Sequence, residues 1–85
     1  MSKSVLHLDL HPLAKNSVKA REALDDLFAE AARKRVKSAE IIPGKGSGQL
    51  MGMVKRYLDQ TYVKEQYKWY EVDQRNHGRL FVHFR

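Results

Sequence analysis

The chain has 85 residues, no cysteine, and sixteen Lys and Arg against ten Asp and Glu, a formal charge of +6. That length supports one core in one domain, 1–85, and the missing cysteine excludes a disulfide frame, a thiol nucleophile and cysteine-bound zinc or iron–sulfur clusters, in keeping with a cytoplasmic protein. No stretch reaches the roughly 20 apolar residues of a membrane span and the N-terminus lacks a signal-peptide run, so no membrane association is expected, while the positive field favours a polyanion such as nucleic acid.

Ser4 to His11 alternates, with Leu6, Leu8 and Leu10 against His7, Asp9 and His11, the period of a half-buried strand. Pro12 removes a donor and ends it. Asp9 and His11 are thereby expected on one face at the strand's carboxyl end, about 7 Å apart. Asn16 or Ser17 caps a long helix to about Val36. Its apolar stripe is Ala20, Leu24, Leu27, Phe28 and Ala31, flanked by Ala23 and Ala32. Arg33, Lys34, Arg35 and Lys37 crowd the last turn, where cations suit the negative end of the macrodipole without any dedicated nucleic-acid patch. Ser38 to Ile42 reads as a second strand, ended by Pro43.

Pro43-Gly44-Lys45-Gly46-Ser47-Gly48 follows, with glycines at alternate positions between a strand and a helix. Glycine permits positive-φ turns and leaves no Cβ to hold a ligand off, and the following helix N-terminus offers unpaired N–H groups. The plain alternative is a tight strand-to-helix connection with a solvated lysine. The loop fits neither G-x-x-x-x-G-K-[ST] nor G-x-G-x-x-G, whose third glycine is Gln49 here, which disfavours an ATPase loop or a dinucleotide site.

A second helix is expected from about Gly48 to Gln60, burying Leu50, Val54, Tyr57 and Leu58 and exposing Lys55 and Arg56. Gly52 inside it costs about 1 kcal/mol relative to alanine and serves either close packing on the sheet or close approach of a ligand. Tyr67 to Val72 and Leu80 to Phe84 read as strands, joined by a polar loop, Asp73 to Arg79, with an Asn-His-Gly turn. Tyr57, Tyr62 and Phe28 are expected in the core, and Tyr67, Trp69, Tyr70 and Phe81 either pack across strands or offer stacking faces to bases. His7, His77 and His83 read as surface or packing residues.

The order β-α-β-α-β-β is that of an α/β domain, sandwich-like, with a four-stranded mixed sheet and two helices over a core from about residue 5 to 84. The first two strands should be parallel with a right-handed crossover and the last two a hairpin; the placement of the helices on one face or both stays open. Ligands of such sheets bind beyond the carboxyl ends of the parallel strands. Asp9 and His11 from one strand and Gly44, Lys45 and Gly46 after the next therefore converge on one rim. There His11 can act as general acid or base, Asp9 can orient the imidazole or hold a cation, and Lys45 with the loop N–H groups can stabilise charge on phosphorus. The pair can equally be solvated or cap a neighbouring turn. No third ligand is visible nearby, so no metal site is assigned and no cofactor is certain, although Mg or Mn is compatible with Asp9.

Leu8-Asp9-Leu10-His11, the long helix, and then Ile41-Ile42-Pro43-Gly44-Lys45-Gly46-Ser47-Gly48 resemble the Smr (small MutS-related) domain, whose signatures are L-D-x-H-G and [TH]-G-x-G. The similarity runs from about Val5 to Phe84, which implies a free-standing domain. It further implies an endonuclease, nicking structured DNA or cutting RNA, in DNA repair or in messenger cleavage at stalled ribosomes, with ribosome or repair-complex partners. Family activity residues fall on Asp9, His11, Gly44, Lys45 and Gly46; the family's metal requirement is not uniform enough to transfer. The chain departs from the pattern at Pro12, where the motif glycine belongs, at Pro43, where threonine or histidine belongs, and at Asn76-His77-Gly78, a reduced form of a G-G-x-G stretch.

Three functions compete: a nuclease using Asp9, His11 and Lys45; a non-catalytic DNA- or RNA-binding module; and a small phosphate binder using only the loop. Nucleic-acid contacts are expected from Gly44, Lys45, Gly46, Ser47, Arg56, Arg75, His77 and Arg79.

Overall fold

The computed structural model describes residues 5–44, 46 and 48–85. Four strands form one sheet: β1 (Val5–Asp9), β2 (Ser38–Ile42), β3 (Trp69–Val72) and β4 (Leu80–His83). The helices are α1 (Ser17–Lys34), α2 (Gln49–Leu58) and the short α3 (Thr61–Lys64), with a 3-10 turn at His11–Leu13. The sheet order is β1-β2-β4-β3: β1 and β2 are parallel, and β4 lies antiparallel between β2 and β3. This is the expected mixed α/β sheet, and it is β4 that lies beside β2.

Register decides which face is covered. Leu6, Ala39, Val82 and Tyr70 lie in one row across the sheet, and Leu8, Ile41, Leu80 and Val72 in the next. Both rows join a single apolar cluster with Leu24, Leu27 and Phe28 of α1, Val54, Tyr57 and Leu58 of α2, and Val63 of α3. The helices therefore pack on one face. The opposite face carries His7, Glu40, Phe81 and Glu71 in one row and Val5, Ser38, His83 and Trp69 in another.

The helix ends follow local chemistry. Asn16 caps α1, its side-chain oxygen accepting from the Lys19 N–H at 3.0 Å, which offsets one of the four orphan donors. Arg35 closes it in a left-handed conformation, φ 55°. Lys34 pairs with Glu30 one turn back at 2.8 Å. Phe28 sits at the centre of the aromatic core, 5.7 Å from Tyr57, 6.4 Å from Tyr67 and 5.5 Å from Phe84, centroid to centroid. The Tyr57 hydroxyl donates to Asp25 at 2.6 Å, and burial first, then that carboxylate, push its pKa up.

Four expectations are corrected. The first strand ends at Asp9, because Leu10 turns to helical angles and His11 opens the 3-10 turn, with Pro12 at a position where a missing N–H costs little. The second helix stops at Leu58, and Gln60, extended at ψ 140°, separates it from α3, whose Val63 is buried. Tyr67 lies before β3, its hydroxyl donating to the Leu58 carbonyl at 2.7 Å. Tyr62 is not core; it is 53% exposed.

Candidate functional site

Parallel pairing brings the carboxyl ends of β1 and β2 to one rim, and antiparallel β4 brings the β3–β4 loop to the same rim. The Leu10 N–H continues the ladder to the Ile42 carbonyl at 2.9 Å, so the two motif-bearing segments are still joined where they leave the sheet. Asp9, exposed, ends β1 on the face without helices. Its Oδ1 accepts the His11 backbone N–H at 2.9 Å. Asp9 therefore shapes the turn that carries His11 and does not bond the imidazole. The two side chains do not project from one strand face as the alternation predicts, because His11 has left the strand.

His11 turns toward the glycine loop. Gly44 has φ +92°, and a Cβ built there would stand 2.8 Å from His11 Cδ2. Only glycine both adopts that angle and lets the imidazole approach this closely. The Gly44 N–H donates to the Gly78 carbonyl at 3.0 Å, which ties the loop after β2 to the loop before β4. Gly78 is held in turn, its N–H donating to Asn76 Oδ1 at 3.0 Å. The Asn-His-Gly turn is legible in sequence, but its place at the rim is not, because that depends on β4 lying beside β2.

Behind the loop, Gly48 begins α2 at φ +85°. His11, Pro43, Gly44, Gly46, Gly48 and Leu50 line a small cavity of about 100 Å³ at this point. A neighbouring groove of about 410 Å³ runs between the starts of α1 and α2 and is lined by Ser17, Gly48, Gly52, Met53 and Arg56. Gly52 faces this groove, not the sheet. A larger cavity of about 540 Å³ lies at the opposite end of the sheet, lined by Phe28, Val36, Lys68 and Phe84 among others, and shares no residue with the rim.

The remaining residues singled out in the sequence separate into distinct environments. Lys45 and Ser47 lie outside the described residues. Arg56 is exposed on α2, and Arg75 and His77 are exposed on the β3–β4 loop. Arg79 is engaged: Nε bonds Asp73 at 2.6 Å, Nη1 bonds Glu40 at 2.7 Å, and the guanidinium lies 5.4 Å from the Phe81 centroid. The Arg75 backbone N–H and then the Arg79 guanidinium hold the Asp73 carboxyl below its usual range. Glu40, 7% exposed, is lowered chiefly by its 2.6 Å hydrogen bond to His7 and further by Arg79, against the opposing effect of burial. Among the described residues no group of three or more His, Cys, Asp or Glu is placed to hold a metal ion.

The family profile of the Smr domain matches residues 8–85. The chain belongs to the Smr domain family. That places it among nuclease-related, nucleic-acid-binding domains. The crystal structure of the Smr domain of Thermus thermophilus MutS2 has the same fold, with a TM-score of 0.75, 18% sequence identity, and 99% of each chain covered. No curated protein matches the chain at a significant level. The Smr sheet with its helices on one face is thus the scaffold that sets Asp9, His11, Gly44 and Gly78 at one rim. No helix among the described residues is long and apolar enough to cross a membrane.

Proposed function

We propose that this Smr domain is an endonuclease that cleaves phosphodiester bonds of structured DNA or RNA at the Asp9/His11/Gly44 rim. The observation that carries the proposal is the contact of His11 with Gly44, which joins both signatures of the family into one site. The His11 imidazole makes no hydrogen bond to another described residue, so it is available to move a proton to or from an oxygen on phosphorus. Asp9 uses Oδ1 to set the turn and leaves Oδ2 for an attacking water, a substrate hydroxyl or a cation. The N–H groups at the start of α2 favour a phosphate, and Lys45 would add a full charge there.

Pro12 and Pro43 favour a second reading, a binding module that has lost catalysis. Pro43 is buried and carries no group able to transfer a proton where the family motif has threonine or histidine. End-labelled single-stranded RNA, duplex DNA and branched DNA, each with and without magnesium, separate the two. Cleavage by the wild-type chain that disappears in Asp9→Ala/His11→Ala establishes the nuclease and its substrate class. Salt-sensitive binding without cleavage establishes the binding module.

A further inference from the structure

We propose that the helix-free face of the sheet is a track for single-stranded nucleic acid, with the stacked pair Trp69 and His83 as its base platform and the Asp9 rim as its end. The inference rests on the nucleic-acid reading of the rim and adds where the strand lies.

Trp69 and His83 are directly opposite each other on β3 and β4. Their rings stack with centroids 4.2 Å apart and 22° between planes. His83 Nε2 bonds Glu71 at 2.9 Å, which fixes the imidazole against which the indole lies. One indole face is thus supported while the residue remains 52% exposed, although an indole of that size gains from burial. A preset, half-open aromatic plane is what a base needs for stacking.

The chemistry of the face favours nucleic acid over protein. Its central row is His7, Glu40, Phe81 and Glu71, with no aliphatic side chain among them to form the centre of a protein interface. Of its carboxylates, Glu40 is answered by His7 and Arg79 and Glu71 by His83, while Asp9 at the rim is bonded, among the described residues, only to the His11 backbone N–H. Lys37, Lys68 and Arg85 are exposed at this end of the sheet, but Lys37 and Lys68 fall in the row of Phe84, and Lys68 and Arg85 line the helix-side cavity, so the platform itself is aromatic, not cationic. Phe81 lies one row nearer the rim, and Asp9 ends β1 on this same face. From the Trp69 row to Asp9 is four residues along the strands and three strands across, a diagonal of about 20 Å. A strand stacked at Trp69 therefore reaches the rim after a few nucleotides.

Trp69 is the chain's single tryptophan, so its emission reports this position alone. The test titrates the full chain with oligothymidylate and oligouridylate of about 12 nucleotides, within the ~4–16 typical of single-strand sites. Intrinsic fluorescence is read beside anisotropy of the labelled oligonucleotide. Saturable, salt-sensitive quenching is expected. Trp69→Ala should weaken binding between about fivefold and a hundredfold, and Trp69→Phe should retain most of it. Asp9→Ala/His11→Ala should still show saturable quenching even where cleavage is lost, with any loss of affinity smaller than that of Trp69→Ala, which scores the track apart from the catalytic site. Binding without quenching, binding unchanged in Trp69→Ala, or no binding to either oligonucleotide overturns the track. So does an emission change driven by protein concentration alone, which would assign the face to a second copy of the chain.

Discussion

Gly44 and His11 are in contact so close that a methyl group on the glycine would stand 2.8 Å from the imidazole Cδ2. Thirty-three residues apart in sequence, they bring the strand-end motif and the glycine loop into direct contact. Gly44→Ala meets two penalties, the left-handed angle and the clash. The first alone costs about 1–2 kcal/mol. Urea denaturation should show at least that loss, and cleavage should fall with the displaced imidazole. Removing the ring relieves only the clash, so His11→Ala should cost less stability in the Gly44→Ala background than in the wild type. Additive losses would show that the contact carries no coupling.

Asp9 has a structural and a chemical part, and two substitutions divide them. Asp9→Asn keeps an oxygen to accept the His11 N–H and should stay within about 0.5 kcal/mol of wild-type stability. Asp9→Ala loses that bond and should cost about 0.5–1.5 kcal/mol. Both should abolish cleavage. An active Asp9→Asn enzyme would reduce Asp9 to a turn residue.

Gly52 is the inexpensive position in α2. An added Cβ would meet only the flexible end of Arg56, at 3.5 Å. Gly52→Ala should therefore stabilise the chain by about 0.5–1 kcal/mol, raising Tm by a few degrees. Nucleic-acid affinity measured on the same protein tells whether the groove beside α2 admits a ligand backbone. A fall in affinity with a rise in Tm would place the ligand there; unchanged affinity would leave the glycine without a binding role.

The Glu40 carboxyl titrates below its ordinary value of 4.5 in the folded chain, held chiefly by His7 and then by Arg79. The unfolded chain thus binds the proton first as pH falls, and stability rises with pH across that interval. The stabilisation is complete above about pH 4.5 and is lost as pH drops through the folded value. Asp73, also lowered, acts in the same direction. Glu40→Gln should cost about 1–2 kcal/mol near neutrality and flatten the acid limb of a stability-against-pH curve. An acid limb as steep as in wild type would show that other carboxylates dominate it.

The arginines near the rim should divide by their partners. Arg56 and Arg75 have no ion pair among the described residues, so Arg56→Gln and Arg75→Gln should weaken nucleic-acid binding and each reduce the salt slope by about 1, with stability unchanged. Arg79 is shared between Asp73 and Glu40. Arg79→Gln should lower Tm first, because it leaves a buried Glu40 short of a partner. A full salt-slope change at wild-type Tm would make Arg79 a phosphate contact.

Asp9, His11 and the glycine loop were legible because their signals are local: alternation, a proline stop, and glycines between a strand and a helix. The same locality made β2 and the apolar stripe of α1 readable, since period and capping need no distant partner. Locality also explains the misses. Tyr62 has the composition of a core residue but lies on a one-turn helix whose buried position is taken by Val63. His11 keeps the strand's alternation in sequence but not in space, because backbone angles at Leu10, and not hydrophobic pattern, decide where a strand ends.

Long-range pairing supplied what the sequence could not. Inserting β4 between β2 and β3 carries Gly78 to Gly44 and places Trp69 on the far edge of the sheet from Asp9. Packing all three helices on one face leaves the other open, and only register shows that Tyr70 belongs to the covered face and Trp69 to the open one. Residues one apart on a strand look alike in composition, yet the period of two sends them to opposite sides of the sheet. The sequence by itself thus determined the elements with local signals and the residue types each one carries, and the tertiary structure decided which of those residues meet, because pairing and register join segments far apart in the chain.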